Sequence, residues 1–395
     1  MIFNRFRIMV TRRFADVNYL KAGMIAAYLM LCSSWAFADT AHFLTLSDIH
    51  FDPFRGCKGT RPCALIRTLN QSPVSSWPSL LRVQDKSLPI IGQDTNYPLW
   101  TAMLNLAKDE AQLKQVKFVV VLGDWLAHDF KRSYKRYSGD HTVSGYQQFV
   151  RKTLTFLGEE LQQAFPDINI YGVIGNNDSD GSDYYSVIQG DFFKQTAIIW
   201  SHLIRQPESK RALLSSFSVG GYYALDLPSQ PELRLIVLNS VLFSYKAKGK
   251  NIEAAAIKQL DWLKEQLEVV RRHHQKALIA MHIPVGIDLY ATRRVRLFTL
   301  LPLWDPEYAH RYQMDLQEFS SDIMGVLAGH LHADWFQFMS YQHLNDMAVT
   351  VTPSISPVYG NNPGFKIYRY STRSLILKGF DTFNYLMPSS VMLRP

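Results

Sequence analysis

The chain has 395 residues, 47% hydrophobic and 19% charged, which excludes a disordered, fibrous or low-complexity protein and leaves room for one large α/β domain or two smaller ones. Its formal charge of +8 is no nucleic-acid footprint: Arg5, Arg7, Arg12, Arg13 and Lys21 face Asp16 alone in residues 1–38, and the remainder is near balance.

In chain order, a basic stretch first precedes the apolar run "AGMIAAYLMLCSSWAFA", which ends at Ala36-Phe37-Ala38 with a small residue on either side of Phe37. That pattern predicts a signal peptide over 1–38, with an uncleaved anchor as the alternative, and hence an exported chain, periplasmic or secreted. A lipoprotein reading at Cys32 is disfavoured by the bulk of Leu31. Cys57 and Cys63, in "GCKGTRPC", are the cysteines left after cleavage, and in an oxidising compartment they are expected to pair.

Apolar runs that stop abruptly at polar residues predict strands near 42–47, 117–122, 169–174, 233–239, 277–282 and 323–328. Further strands are expected near 217–226, 334–340, 347–352, 365–370 and 374–379. Between them, 98–113, 146–164 and 253–273 read as amphipathic helices; in the last, Ile257, Leu260, Leu263, Leu267 and Val270 recur at helical spacing. Residues 53–97 are expected to loop. Residues 284–316 mix Arg293, Arg294 and Arg296 with Tyr290, Phe298, Trp304, Tyr308 and Tyr312, and either line a pocket for an anionic substrate or form a loop with aromatic anchors. No linker divides the chain, so 39–395 reads as one domain of the α/β class.

The polar residues at the strand ends carry the chemistry. Asp48 and His50 lie two apart after the first run, and strand alternation would aim both to one side. Asp124 follows the second run, Asn176 the third, His282 the fourth, and His330 and His332 the fifth. Any one of these is ordinary turn chemistry. Together they give the order D-x-H, GD, GN, H, GH-x-H, and in an α/β sheet such ends converge. Mixed imidazole, carboxylate and amide donors suit zinc, with manganese or iron as alternatives.

That order of motifs resembles the calcineurin-like metallophosphoesterases over nearly the whole of 39–395. The resemblance implies a four-layer α/β/β/α sandwich and a phosphoester hydrolase with two divalent ions. Asp48, His50 and His332 would hold one ion, Asn176, His282 and His330 the other, with Asp124 between them. "GDWLAHD" and "TPSISPVYGNNPGFKIYRY" are similar to a narrower group, the acid sphingomyelinase-like phosphodiesterases and endopolyphosphatases. In that group Asn361 and Asn362 would lie in a loop near the site; an ordinary Asn-Asn-Pro-Gly turn accounts for them equally well.

Paired cations activate a water and offset charge that builds on a phosphoryl group. In most relatives a histidine follows the metal-binding asparagine and helps the leaving group depart; here that position is Asn177, a candidate catalytic-site residue that can hydrogen-bond a phosphate oxygen but cannot release a proton at useful pH. His128 in "LAHD" matches a histidine of the sphingomyelinase-like pattern and is the candidate general acid; the alternative is a structural hydrogen bond. Neither a saposin-like region nor a Cys-rich C-terminal region is recognised, which weighs against sphingomyelin and leaves polyphosphate, nucleotides or small phosphodiesters as expected substrates. Nucleic acid is not an expected partner, and a membrane is one only through an uncleaved N-terminus. A non-catalytic metal-binding or interaction protein on the same scaffold is the competing reading.

Overall fold

The computed structural model describes residues 39–57, 59, 61–84, 86–288, 291–292, 300–339 and 347–387. The expected signal segment, Tyr290, Phe298 and the three arginines at 293, 294 and 296 lie outside the described residues.

Two twisted sheets form the centre. In the first, β1 (Thr40–Leu46), β2 (Phe118–Val121) and β3 (Asn169–Gly172) run parallel, and β12 (Gly364–Ser371) and β13 (Leu377–Asn384) continue it antiparallel, in the order β13-β12-β1-β2-β3. The second takes β5 (Tyr223–Leu227), β6 (Gln230–Val237), β8 (Lys276–Ala280), β9 (Ile323–Ala328), β10 (Trp335–Met339) and β11 (Met347–Val351) in the order β10-β11-β9-β8-β6-β5, with the inner four parallel. A small ribbon joins β4 (Tyr185–Val187) to β7 (Lys248–Lys250). The inner strands are buried on both faces, which is why they read as unbroken apolar runs such as "FVVV" and "IMGVLA".

Side chains cross between the sheets. Tyr368 Oη donates to Thr350 Oγ1 at 2.9 Å, the Thr45 and Thr352 hydroxyls meet at 2.7 Å, and Tyr223 Oη donates to the Gly172 carbonyl at 3.1 Å. Helices cover the outer faces. On the first sheet lie α3 (Tyr97–Lys114) and α5 (Val143–Ala164); on the second lie α8 (Ile252–Arg272) and, beside it, α9 (Pro306–Glu318). The result is the expected four-layer α/β/β/α sandwich.

Several expectations need correction. Residues 53–97 do not simply loop: α1 (Ala64–Gln71) and α2 (Trp77–Gln84) form there, burying Leu65, Ile66, Leu69, Trp77 and Leu81. The stretch 217–226 begins as the end of α7 (Pro207–Gly220), which stops at the left-handed Gly221 before β5 starts. The strand expected near 374–379 instead runs Leu377–Asn384. Further helices form where none was expected: α4 (Phe130–Ser138) follows the Asp124 loop, α6 (Asp191–Ser201) sets Trp200 against Gly172, where a Cβ would lie 2.6 Å from the indole, and α9 takes up the end of the 284–316 stretch. Within α8, Ile257 is 44% exposed despite its spacing, and Ala256 takes the core position. Trp304 and Tyr312 are core residues rather than pocket lining, with Trp304 Nε1 donating to the Ile283 carbonyl at 2.9 Å. Cys57 and Cys63 form the expected disulfide.

Candidate metal centre

Because β1, β2 and β3 run parallel, as do β8 and β9, their C-terminal ends open on one side of the sandwich. The seven residues singled out from sequence all arrive there. The reason differs from the expected strand alternation: the side chains leave the backbone beyond the strand ends, in left-handed kinks. Asp48, His50, Asp124, His330 and His332 have φ between 43° and 70°. Non-glycine residues adopt this region at a cost of about 1–3 kcal/mol each, and such strain gathers at functional sites. Backbone bonds hold the kinks: Asp48 N–H donates to Gly123 O at 3.0 Å and His50 N–H to Asp124 O at 2.9 Å.

Glycines explain the recurring G-D, G-N and G-H pairs. A Cβ on Gly175 would fall 2.1 Å from Asp124 Oδ1, and one on Gly329 would fall 2.1 Å from Ser47 Oγ. On Gly123 it would meet His282 Nδ1 at 2.7 Å. Each glycine is the room a neighbouring ligand strand end needs.

The electrostatics of the cluster call for a cation. His282 Nδ1–H donates to the Leu122 carbonyl at 2.7 Å, so Nε2 carries a lone pair. That lone pair faces Asn176 Oδ1 at 3.2 Å and Asp124 Oδ2 at 3.3 Å. His50 repeats the arrangement: Nδ1–H donates to Leu126 O at 3.1 Å, and Nε2 faces Asp124 Oδ2 at 3.3 Å and His332 Nε2 at 3.2 Å. Asp48 Oδ1 is buried without a hydrogen bond, 3.2 Å from His332 Nε2. Groups that only accept, crowded on one point, need a proton or a metal ion between them. With protons alone the histidines split: against its burial, Asp124 pushes His282 up to about 9, while burial and the charge of His282 push His330 down to about 3. This donor set fits a pair of divalent ions, and Asp124, between His50 and His282, is placed to touch both.

Polar neighbours orient the ligands. Asn176 Nδ2 donates to Asp183 Oδ1 at 2.8 Å, which turns its oxygen inward. Asp178 accepts from the backbone N–H groups of Trp125, Leu126 and Gly175 at 2.8–3.1 Å and ties the Asp124 loop to the Asn176 loop. Burial, with the charge of Asp124, raises the Asp178 carboxyl to about 7. Asn177 does not project as a donor towards a substrate: its backbone N–H donates to Asp124 Oδ1 and its side-chain amide to Asp124 Oδ2, both at 2.8 Å.

His128 stacks on His50 with ring centroids 4.0 Å apart. Its Nδ1 is paired with Asp94 Oδ1 at 2.9 Å, and its Nε2 lies 3.3 Å from Tyr359 Oη. Burial alone would favour the neutral ring, but Asp94 outweighs it and raises the pKa above the usual imidazole value. Asp94 in turn accepts from Ser356 Oγ at 3.1 Å. Sequence reading missed Asp94, Asp183 and Tyr359, which are single polar residues in irregular loops; for Asp178, the run "NNDSD" was the one available signal. Asn361 and Asn362 line the cleft beside His332 and also hold the turn: Asn361 Nδ2 donates to Ser354 Oγ at 2.8 Å, and Asn362 Oδ1 accepts from Met387 N–H at 3.2 Å.

No family model matches the chain. It is 24% identical over 353 residues to the cyclic GMP-AMP phosphodiesterase SMPDL3A of Rattus norvegicus, covering 86% of this chain and 70% of that protein. The Homo sapiens counterpart is 24% identical over 359 residues, covering 87% and 70%. Sphingomyelinase phosphodiesterase C of Dictyostelium discoideum is 26% identical over 251 residues, or 60% of this chain and 53% of that one. Among solved structures, a dimetal phosphatase from Danio rerio overlaps 88% of this chain and 100% of its own at 12% identity and a TM-score of 0.49.

Proposed function

We propose that this chain, which belongs to the calcineurin-like metallophosphoesterases on their acid sphingomyelinase-like phosphodiesterase branch, is an exported hydrolase that cleaves phosphodiester or phosphoanhydride bonds at a pair of divalent ions. The observation that carries this reading is the inward-facing acceptor set, above all His282 Nε2 turned on Asn176 Oδ1 and Asp124 Oδ2. Asp48, His50 and His332 would hold one ion and Asn176, His282 and His330 the other, with Asp124 shared. Zinc suits these donors best. The ions, when bound, would supply Lewis acidity and a nucleophilic hydroxide near neutral pH.

The protein's own residues do the rest. Asp183 fixes the Asn176 amide, and the carbonyls of Leu122 and Leu126 fix the tautomers of His282 and His50. Asn177 clamps Asp124, so the proton for the leaving group must come from elsewhere. His128 is placed for it: Asp94 holds its Nδ1, favours its charged form, and leaves Nε2 at the rim beside Tyr359. A good leaving group, such as a phosphate chain or a nucleotide phosphate, needs this help least.

Export is supported by the disulfide between Cys57 and Cys63 and by the N-terminal sequence pattern. Among the described residues no helix is long and apolar enough to cross a membrane. The test is a substrate panel on zinc- or manganese-loaded protein: bis-p-nitrophenyl phosphate, polyphosphate, nucleoside triphosphates, a cyclic dinucleotide and sphingomyelin. Metal-dependent turnover of one or more of the first four supports the reading. Turnover of none of the five by a chain with both ions bound contradicts it.

A further inference from the structure

Lys366 is the least expected residue of the sandwich. It sits on β12 with no exposed surface, and its ammonium lies 2.8 Å from Asp334 Oδ1, 3.4 Å from the Trp335 carbonyl and 4.0 Å from the centre of the Phe380 ring. Burying an ammonium costs several kcal/mol, and a carboxylate that is itself 44% exposed offsets only part of that. A methionine would fill the same space without the charge. Stability alone therefore gives no reason for a lysine here.

Its location gives one. Asp334 and Trp335 begin the segment that leaves the metal centre, two and three residues after His332. The ring of His332 differs from those of His50 and His282. Those two rings are fixed by an Nδ1–H bond to a backbone carbonyl. His332 Nδ1 is buried with no hydrogen-bond partner among the described residues. Tyr359 packs edge-on against the His332 ring, with centroids 4.6 Å apart, but supplies no bond to Nδ1. The direction of His332 Nε2 towards Asp48 thus depends on where the backbone holds the residue, in a strained φ of 52°.

We infer that Lys366 and Asp334 form an inter-sheet pin that positions His332 for its ion, so that the buried lysine serves metal affinity rather than fold stability. The inference rests on the metal centre proposed above. Lys366 is a positioning residue: it reaches neither ion nor substrate and acts through the backbone of 333–335.

The test is zinc binding by the metal-stripped full chain, measured by calorimetry against a competing chelator, with the metal-free melting temperature read alongside. For Lys366→Met, one of two zinc affinities should fall about 3–10-fold, less than for a group bonded directly to a ligand, with no fall in the metal-free melting temperature. Asp334→Asn, altered on the exposed side of the pair, should weaken the same site. The double variant should be no weaker than Lys366→Met alone, because both remove one interaction. Unchanged zinc affinities in Lys366→Met and Asp334→Asn would overturn the pin. So would a loss of affinity that appears only together with a lower metal-free melting temperature and is fully additive in the double variant. A wild-type chain that takes up no zinc would instead overturn the metal centre itself, and the pin with it.

Discussion

Asn177 grips Asp124 by both carboxylate oxygens: backbone N–H to Oδ1 and side-chain amide to Oδ2, each at 2.8 Å. The side chain that replaces a histidine in the G-N-N-D turn therefore orients the carboxylate proposed to lie between two ions. Removing it in Asn177→Ala leaves the backbone donor in place. The expected result is metal binding weaker by about 10–100-fold, towards the lower figure because the backbone donor remains. Zinc titration of the variant checks this; an unchanged affinity would show that the clamp is idle.

Asn177→His should widen the substrate range without raising the best rates. An added imidazole can donate a proton where asparagine cannot, so the gain belongs to esters with poor leaving groups. Turnover of an alkyl phosphodiester relative to bis-p-nitrophenyl phosphate is the measurement. A ratio that stays at the wild-type value would show that the histidine position has no catalytic reach in this chain.

His128→Ala tests the proposed acid by the same logic. The loss should be small on the activated nitrophenyl ester and about 10²–10⁴-fold on an unactivated one. Asp94→Asn should reproduce the leaving-group dependence in weaker form, because Asp94 orients the Nδ1 side of the ring. Equal losses on both esters would assign His128 to holding the His50 ring instead.

Gly175→Ala should cost the site as a whole. Its Cβ would lie 2.1 Å from Asp124 Oδ1 and 2.2 Å from Asp124 N, so one loop must move. Overpacking of this kind destabilises by about 1–3 kcal/mol or more, and metal uptake should fall with it. A variant that keeps wild-type uptake would contradict the packing described here.

Stability should also fall in acid through Asp288. Burial opposes its charge, but Lys246 at 2.7 Å and the Ala291 N–H prevail and lower its pKa below the ordinary carboxylate value. A lowered folded pKa contributes stability above the unfolded value of about 4, which is lost as pH drops through the folded one. Because Lys246 is 34% exposed, the contribution is at most about 1 kcal/mol. Asp288→Asn should lower stability at neutral pH and flatten the acid limb of a denaturation series; an unaltered limb would remove Asp288 from it.

Much of the centre was legible in sequence because ligand identity and strand ending coincide in "SDIH", "GDW", "GNN", "MHIP" and "GHLH". Apolar runs announce the strands, and parallel connection brings their ends together. The backbone that aims the ligands was not legible: the left-handed turns fall on Asp48, His50, Asp124, His330 and His332, and although Asp and His tolerate positive φ better than most side chains, they adopt it too rarely for residue type alone to announce it. Nor were Asp94 and Asp183, which act through loops that only tertiary packing places. The helices α1, α2, α4, α6, α7 and α9 were missed because, at 8–14 residues, they offer few turns of apolar repeat, and their stability comes from residues such as Trp77, Trp200 and Phe217 reaching the core.

A binuclear hydrolytic centre is tested most directly by counting metal in purified protein while following hydrolysis of bis-p-nitrophenyl phosphate, for the wild type and for Asp124→Asn. The wild-type chain should hold two zinc or manganese ions. Asp124→Asn should hold fewer than two, with turnover reduced by at least about 10³-fold. Two ions retained in Asp124→Asn with turnover intact, or wild-type turnover that survives complete chelation, would contradict such a centre.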